Sequence, residues 1–161
     1  MYKFQAKFYL KLIFLISLIS LISAYFIEFI LGHQPCNLCL IERIPYGISV
    51  ILTIIILIYH KNEKFFVLLL VLTFIFSFAI SIYHFGIEKG FFEESAICTL
   101  KNFSETLTKE DLLKQLNEKT VSCRDVTFKI FGISLTGINI IDSLFIIIIL
   151  LKTYNLYEKN R

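Results

Sequence analysis

The stretch that decides the fold is FFVLLLVLTFIFSFAISIY, residues 65–83, which contains no charged residue, no glycine and no proline. At 1.5 Å per residue it reaches about 28 Å as a helix, close to the roughly 30 Å of a bilayer's hydrocarbon core. A membrane strand would alternate polar with apolar residues, and this run does not. Backbone groups cannot stay unpaired in lipid, so the run is expected to be a membrane-spanning helix.

Three further runs of similar character lie around it. Residues 12–31 are interrupted only by Ser17, Ser20, Ser23 and Glu28; the other two lie at about 42–59 and 135–155, the last most apolar from Ile140 to Leu151. Gly32, the Pro35 region and residues 60–64 mark ends between them. The whole chain, 1–161, is therefore expected to be one all-α membrane domain, a four-transmembrane-helix bundle. Composition agrees: 57% of residues are hydrophobic and 18% charged, with a mean hydropathy of +0.74, against about 45–50% and 25% in soluble domains. A net charge of +3 without a basic stripe among exposed aromatics gives no reason to expect nucleic acid.

Lysine and arginine placement orients the bundle. Lys3, Lys7 and Lys11 precede the first run, Lys61 and Lys64 separate the second from the third, and Lys152, Lys159 and Arg161 follow within or after the fourth. These segments are expected on the cytoplasmic side, with both termini. The opposite side receives a short loop, about 32–41, and a long one, about 84–134, whose stretch from Phe85 to Gly132 holds seven basic and eight acidic residues. Ser23-Ala24 resembles a signal-peptide cleavage site, but the apolar run continues past it and Ile22 suits the −3 position poorly. An uncleaved helix is the expectation.

All four cysteines fall in the two outer loops: Cys36 and Cys39 in the first, Cys98 and Cys123 in the second. That placement suits an oxidising compartment, and four cysteines allow three pairings. A Cys98–Cys123 bond would close a loop worth about 3–4 kcal/mol in the chain-entropy model, enough for a structural staple. The ring between Cys36 and Cys39 is too short for that, and Cys-x-x-Cys recurs where thiol reactivity is tuned. Glu42 and Arg43 follow directly; a guanidinium and a helix N-terminus near Cys39 favour a thiolate. The same helix start suits an electron-accepting anion or polarised carbonyl. A four-cysteine zinc centre would also use these residues, but the gap after Cys98 is unlike paired Cys-x₂-Cys knuckles. No metal is expected.

Pro35-Cys36-Asn37-Leu38-Cys39-Leu40-Ile41-Glu42-Arg43 resembles the first-loop motif of the bacterial disulfide bond formation protein B (DsbB) family. The resemblance continues through Tyr83-His84-Phe85-Gly86-Ile87-Glu88, Cys98, Cys123, Phe131-Gly132-Ile133-Ser134 and Asn139, and covers nearly the whole chain. It implies an inner-membrane protein-dithiol:quinone oxidoreductase that reoxidises a periplasmic thioredoxin-like DsbA-type protein. By position, Cys98 would form the mixed disulfide with that partner and Cys123 would be its mate. Cys36 would exchange with the second loop while Cys39 faces the quinone. Arg43 matches the family arginine beside the quinone ring, and His84 stands where a family histidine lies near that site. The resemblance leaves ubiquinone and menaquinone both open.

Three other features carry expectations. Thr108-Lys109-Glu110-Asp111 opens a short amphipathic helix with Leu112, Leu113 and Leu116 on one face. Since a buried charge in lipid costs about 2.5–3.5 kcal/mol, either the fourth helix starts near Asn139 and Asp142 is interfacial, the favoured reading, or Asp142 faces a protein or proton pathway; Glu28 is read as an interfacial charge. Pro45 and Tyr46 lie close enough to Arg43 to line a quinone pocket, and tryptophan is absent, so any tryptophan contact used by relatives is missing.

Overall fold

The computed structural model describes residues 2–59, 62–94, 98, 122–125, 128–130 and 132–159. Four long helices dominate: α1 (Tyr2–Phe29), α2 (Asn37–Ile58), α3 (Glu63–Glu88) and α4 (Leu135–Lys159). Each is long and apolar enough to cross a membrane. The described helices run beyond the apolar stretches because helical hydrogen bonding does not stop where hydropathy falls. The expected short helix from Thr108 lies outside the described residues.

α1 packs against α2 and α4, and α3 against the same two, so the helices close into a ring around one core. Phe74, Leu10, Ile13, Leu70, Ile146 and Leu150 are fully buried there. Phe8, Ile51, Phe76 and Ile141 point outward at about half exposure or more, as a lipid-facing surface requires. The interior also collects small hydroxyls. Ser17 donates to Ser49 (3.0 Å), and Ser77 and Ser143 share a hydrogen bond (3.1 Å). Apolar surface gains little by leaving lipid, so close packing and interhelical hydrogen bonds must hold such a bundle.

One polar group ties three helices together at mid-site. Asn139 of α4 donates to Ser81 of α3 (2.8 Å) and Glu42 of α2 (3.0 Å), and accepts from the Tyr46 hydroxyl of α2. α4 is helical from Leu135, where the fourth expected span begins, and not only from Asn139. Asp142 accordingly lies two turns inside α4, where its carboxylate faces protein and accepts from Ser20 of α1 (3.1 Å).

At the end of α3 the amides of Gly90 and Phe91 donate to the carbonyls of Ile87 (3.0 Å) and Gly86 (2.8 Å). This Schellman turn needs the left-handed conformation that Gly90 adopts, φ +75°. Gly86 contributes differently: a Cβ there would stand 2.2 Å from the Phe92 ring, so the turn folds back onto bare backbone. Past it, Cys98 and Cys123 are joined by a disulfide. Glu94 accepts from the Ser122 hydroxyl and the Arg124 amide (3.0 Å), a second clasp between the same two limbs. A two-stranded hairpin, β1 (Lys129–Ile130) with β2 (Ile133–Ser134), then leads into α4.

Phe74→Ala is expected to lower stability by about 2 kcal/mol, less than in a soluble core because lipid removes the water-transfer part of the cost. Asn139→Leu, similar in size, leaves Glu42 and Tyr46 short of a partner and is expected to cost about 1–3 kcal/mol. Thermal unfolding in detergent checks both.

Candidate active site

The site grows from the N-terminus of α2. Cys36 is its N-cap residue, with extended backbone, and its sulfur accepts from the Cys39 amide (3.2 Å). The Cys-x-x-Cys spacing therefore becomes a capping interaction, in which a side chain takes up one of the helix's orphan amides. Both cysteines are unbridged, and their sulfurs lie 2.6 Å apart. That is inside van der Waals contact and within easy reach of a disulfide at about 2.05 Å.

His84 stands behind Cys36, with Nε2 3.5 Å from its sulfur. Its Nδ1 faces the Glu42 carboxylate at 2.9 Å and the Thr136 hydroxyl at 3.3 Å. An ionised carboxylate only accepts, so Nδ1 carries the hydrogen and Nε2 presents its lone pair to Cys36 in the neutral ring. Thr136 in turn donates to Glu88, whose other oxygen is buried with no partner among the described residues. His84 is 2% exposed, so this triad is shielded from solvent.

These contacts decide which thiol is activated. The hydrogen bond from the Cys39 thiol, with the imidazolium that His84 becomes on taking the proton and with the Cys39 amide, holds the Cys36 thiol below its usual range despite burial. The sequence suggested activation by a guanidinium near Cys39. In the structure Arg43 donates to Glu28 of α1, in a pair that hydropathy could not reveal, and stacks over Tyr25 at 5.1 Å. Glu28 is thus committed to Arg43 as an ion-pair partner.

Cys39 faces the other way. It lines a cavity of about 300 Å³ between α1, α2 and α4, together with Arg43, Tyr46, Ser20, Asp142 and His33. The size is at the lower end of small-molecule sites, which span about 300–1,000 Å³. The cavity's exposed wall is mostly apolar although many of the residues around it are polar, which suits a flat, lipid-soluble molecule bearing hydrogen-bond acceptors. Pro45 and His84 are absent from the lining, so His84 touches the dithiol and not the cavity, and of the expected Pro45–Tyr46 pair only Tyr46 contributes.

Cys98 and Cys123 are buried in one cluster with Cys36, Leu38 and Ile87, and Cys39 packs against it. All four cysteines thus gather at one end of the bundle. The Lys64 ammonium over the Tyr154 ring (4.8 Å) marks the opposite end. Glu42, Thr136, Glu28 and Asp142 were not singled out as site residues by sequence. For the three carboxylates the available signal was their chemistry, since ionisable groups inside membrane helices are functional candidates by default; Thr136 carried no such signal.

Among known proteins, the family model described as "Disulfide bond formation protein DsbB" matches residues 6–153. The chain is also 31% identical over 137 residues to "Uncharacterized protein RP370" of Rickettsia prowazekii (strain Madrid E), covering 84% of this chain and 80% of the relative. No solved structure matches significantly. The matched region takes in both cysteine pairs and reaches into all four helices, and the chain therefore belongs to the DsbB family of membrane thiol oxidoreductases that form disulfide bonds.

Proposed function

We propose that this chain reoxidises a periplasmic, thioredoxin-like DsbA-type dithiol protein and passes the electrons to a quinone of the bacterial inner membrane, with both termini in the cytoplasm. The observation that carries the reading is the two-sided placement of one dithiol: Cys39 in a cavity wall, Cys36 packed against the second pair.

The partner's thiolate attacks the sulfur of Cys98, the Cys98–Cys123 bond breaks and Cys123 leaves as a thiolate. Cys98 and Cys123 are themselves covered, so the docking partner must open the loop to reach them. Cys123 then attacks Cys36 of an oxidised Cys36–Cys39 pair, and Cys39 is released facing the cavity. The partner's second thiol resolves its mixed disulfide with Cys98, and the Cys98 thiolate exchanges with the Cys36–Cys123 bond. The second pair is thereby closed again and the first left as a dithiol.

A quinone bound in the cavity would accept two electrons and two protons per turnover as the first disulfide re-forms, and Arg43 and Tyr46, which line that cavity, would meet its polar edge. His84 Nε2 is placed to take the Cys36 proton, and Thr136 to relay the Nδ1 proton to Glu88. Asn139 cannot extend this relay toward Tyr46, because an amide passes no proton without changing tautomer. Its part is to hold Glu42, and through Glu42 the ring of His84.

Cys36→Ser and Cys39→Ser are each expected to abolish quinone reduction by a reduced thioredoxin-like donor in purified membranes; full activity in both would reject the reading. Arg43→Ala is expected to raise the KM for quinone about tenfold, equivalent to about 1.4 kcal/mol, with a smaller change in kcat.

A further inference from the structure

We infer that the reduced Cys36–Cys39 pair, with His84, forms a binding site for a thiophilic d¹⁰ cation such as Zn²⁺, which locks the pair as a dithiolate. The two sulfurs and a histidine nitrogen all lie within 4.8 Å of one another. Two thiolates and an imidazole are a soft donor set suited to such ions.

Distance tests the fit. Bonds of about 2.3 Å to sulfur and about 2.0–2.1 Å to nitrogen place a bound sulfur and nitrogen about 3.5 Å apart at a tetrahedral angle. The Cys36 sulfur and His84 Nε2 are already 3.5 Å apart. Two bound sulfurs lie about 3.8 Å apart by the same geometry. The pair, at 2.6 Å, must therefore open by roughly 1 Å, a shift within reach of a rotation of Cys39 toward the cavity it lines. Closing by about half an ångström makes the disulfide instead. Oxidation and metal binding are thus competing outcomes for one pair of sulfurs.

The surroundings complete the ligand set. Glu42 holds Nδ1 at 2.9 Å and so leaves Nε2 free to coordinate, the carboxylate–histidine–metal arrangement that orients histidine ligands. Asn139 fixes Glu42 in turn. Three protein ligands leave a fourth position on the ion, for water or another small donor.

Binding displaces the thiol protons as the sulfur–metal bonds form, His84 coordinates as the neutral ring, and no electrons move. A sulfur held by the ion attacks a disulfide or gives electrons to an acceptor more slowly than the free thiolate, because the ion withdraws its electron density. The site is accordingly a redox-gated inhibitory site: it exists only in the dithiol state, which accumulates when the electron acceptor runs short. This deepens the proposed function, because that reading supplies the dithiol state. Binding itself needs no quinone, so ion retention can fail while quinone reduction stands, and the reverse.

The test uses the full chain in detergent with Cys98→Ser and Cys123→Ser, so that only the first pair can bind. Reduced anaerobically and given Zn²⁺, it is expected to retain one ion per chain after gel filtration. Co²⁺ in its place should show sulfur-to-cobalt charge-transfer absorption and the ligand-field bands of a tetrahedral ion. His84→Ala should weaken binding at least tenfold and alter those bands, with Glu42→Gln giving a smaller loss. The oxidised form of the same chain, which needs no further mutation, should bind none. Failure of the reduced chain to retain an ion, unchanged affinity in His84→Ala, or equal binding by the oxidised form would each overturn the assignment.

Discussion

The structure depends on one buried carboxylate. Glu42 is 8% exposed and lies among apolar helices, where an unpartnered charge would be costly. Its two oxygens are divided between His84 of α3 and Asn139 of α4, so one side chain of α2 fixes two neighbouring helices. Removing either partner leaves the other contact to carry a buried charge. For that reason the centre specifies register: α2, α3 and α4 satisfy it in one arrangement. Lipid-facing packing alone would tolerate several.

From that centre the asymmetry of the dithiol follows. Glu42 orients His84, His84 meets Cys36, and Cys36 caps the helix that carries Cys39. Cys36 therefore has the stabilised sulfur and the neighbouring loop disulfide, while Cys39 has the cavity. Two cysteines three positions apart acquire different surroundings because one precedes the helix and the other lies in its first turn. The cavity's own polar groups come from different helices: Arg43 from α2, restrained by Glu28 of α1, and Asp142 from α4, bonded to Ser20 of α1.

Much of this was legible in the sequence. Lipid imposes its thickness and its intolerance of open backbone on every residue of a span, so hydropathy alone announced four helices. Cysteine spacing and loop placement announced the two pairs. What escaped were contacts between runs that hydropathy reads one at a time. Glu28 and Arg43, Asn139 and Glu42, and Ser20 and Asp142 meet only when the helices pack. The two readings of Asp142 stayed open for the same reason: a carboxylate within a helix looks unaffordable until the hydroxyl that binds it is known. His84 was assigned to the acceptor by resemblance, and only geometry shows it against Cys36. The serines of α1, read as interruptions of an apolar run, include one, Ser17, that is wholly buried in a hydrogen-bonded seam.

In the proposed reaction, electrons leave the first cysteine pair for an acceptor in the adjoining cavity. Its most direct measurement is mass-spectrometric mapping of free thiols in the fully reduced chain, before and after anaerobic addition of quinone with no partner protein present. Quinone alone is expected to convert Cys36 and Cys39 to a disulfide, with the Cys98–Cys123 bond re-forming by exchange as further quinone is consumed. Cys36 and Cys39 remaining as free thiols after quinone addition would contradict it.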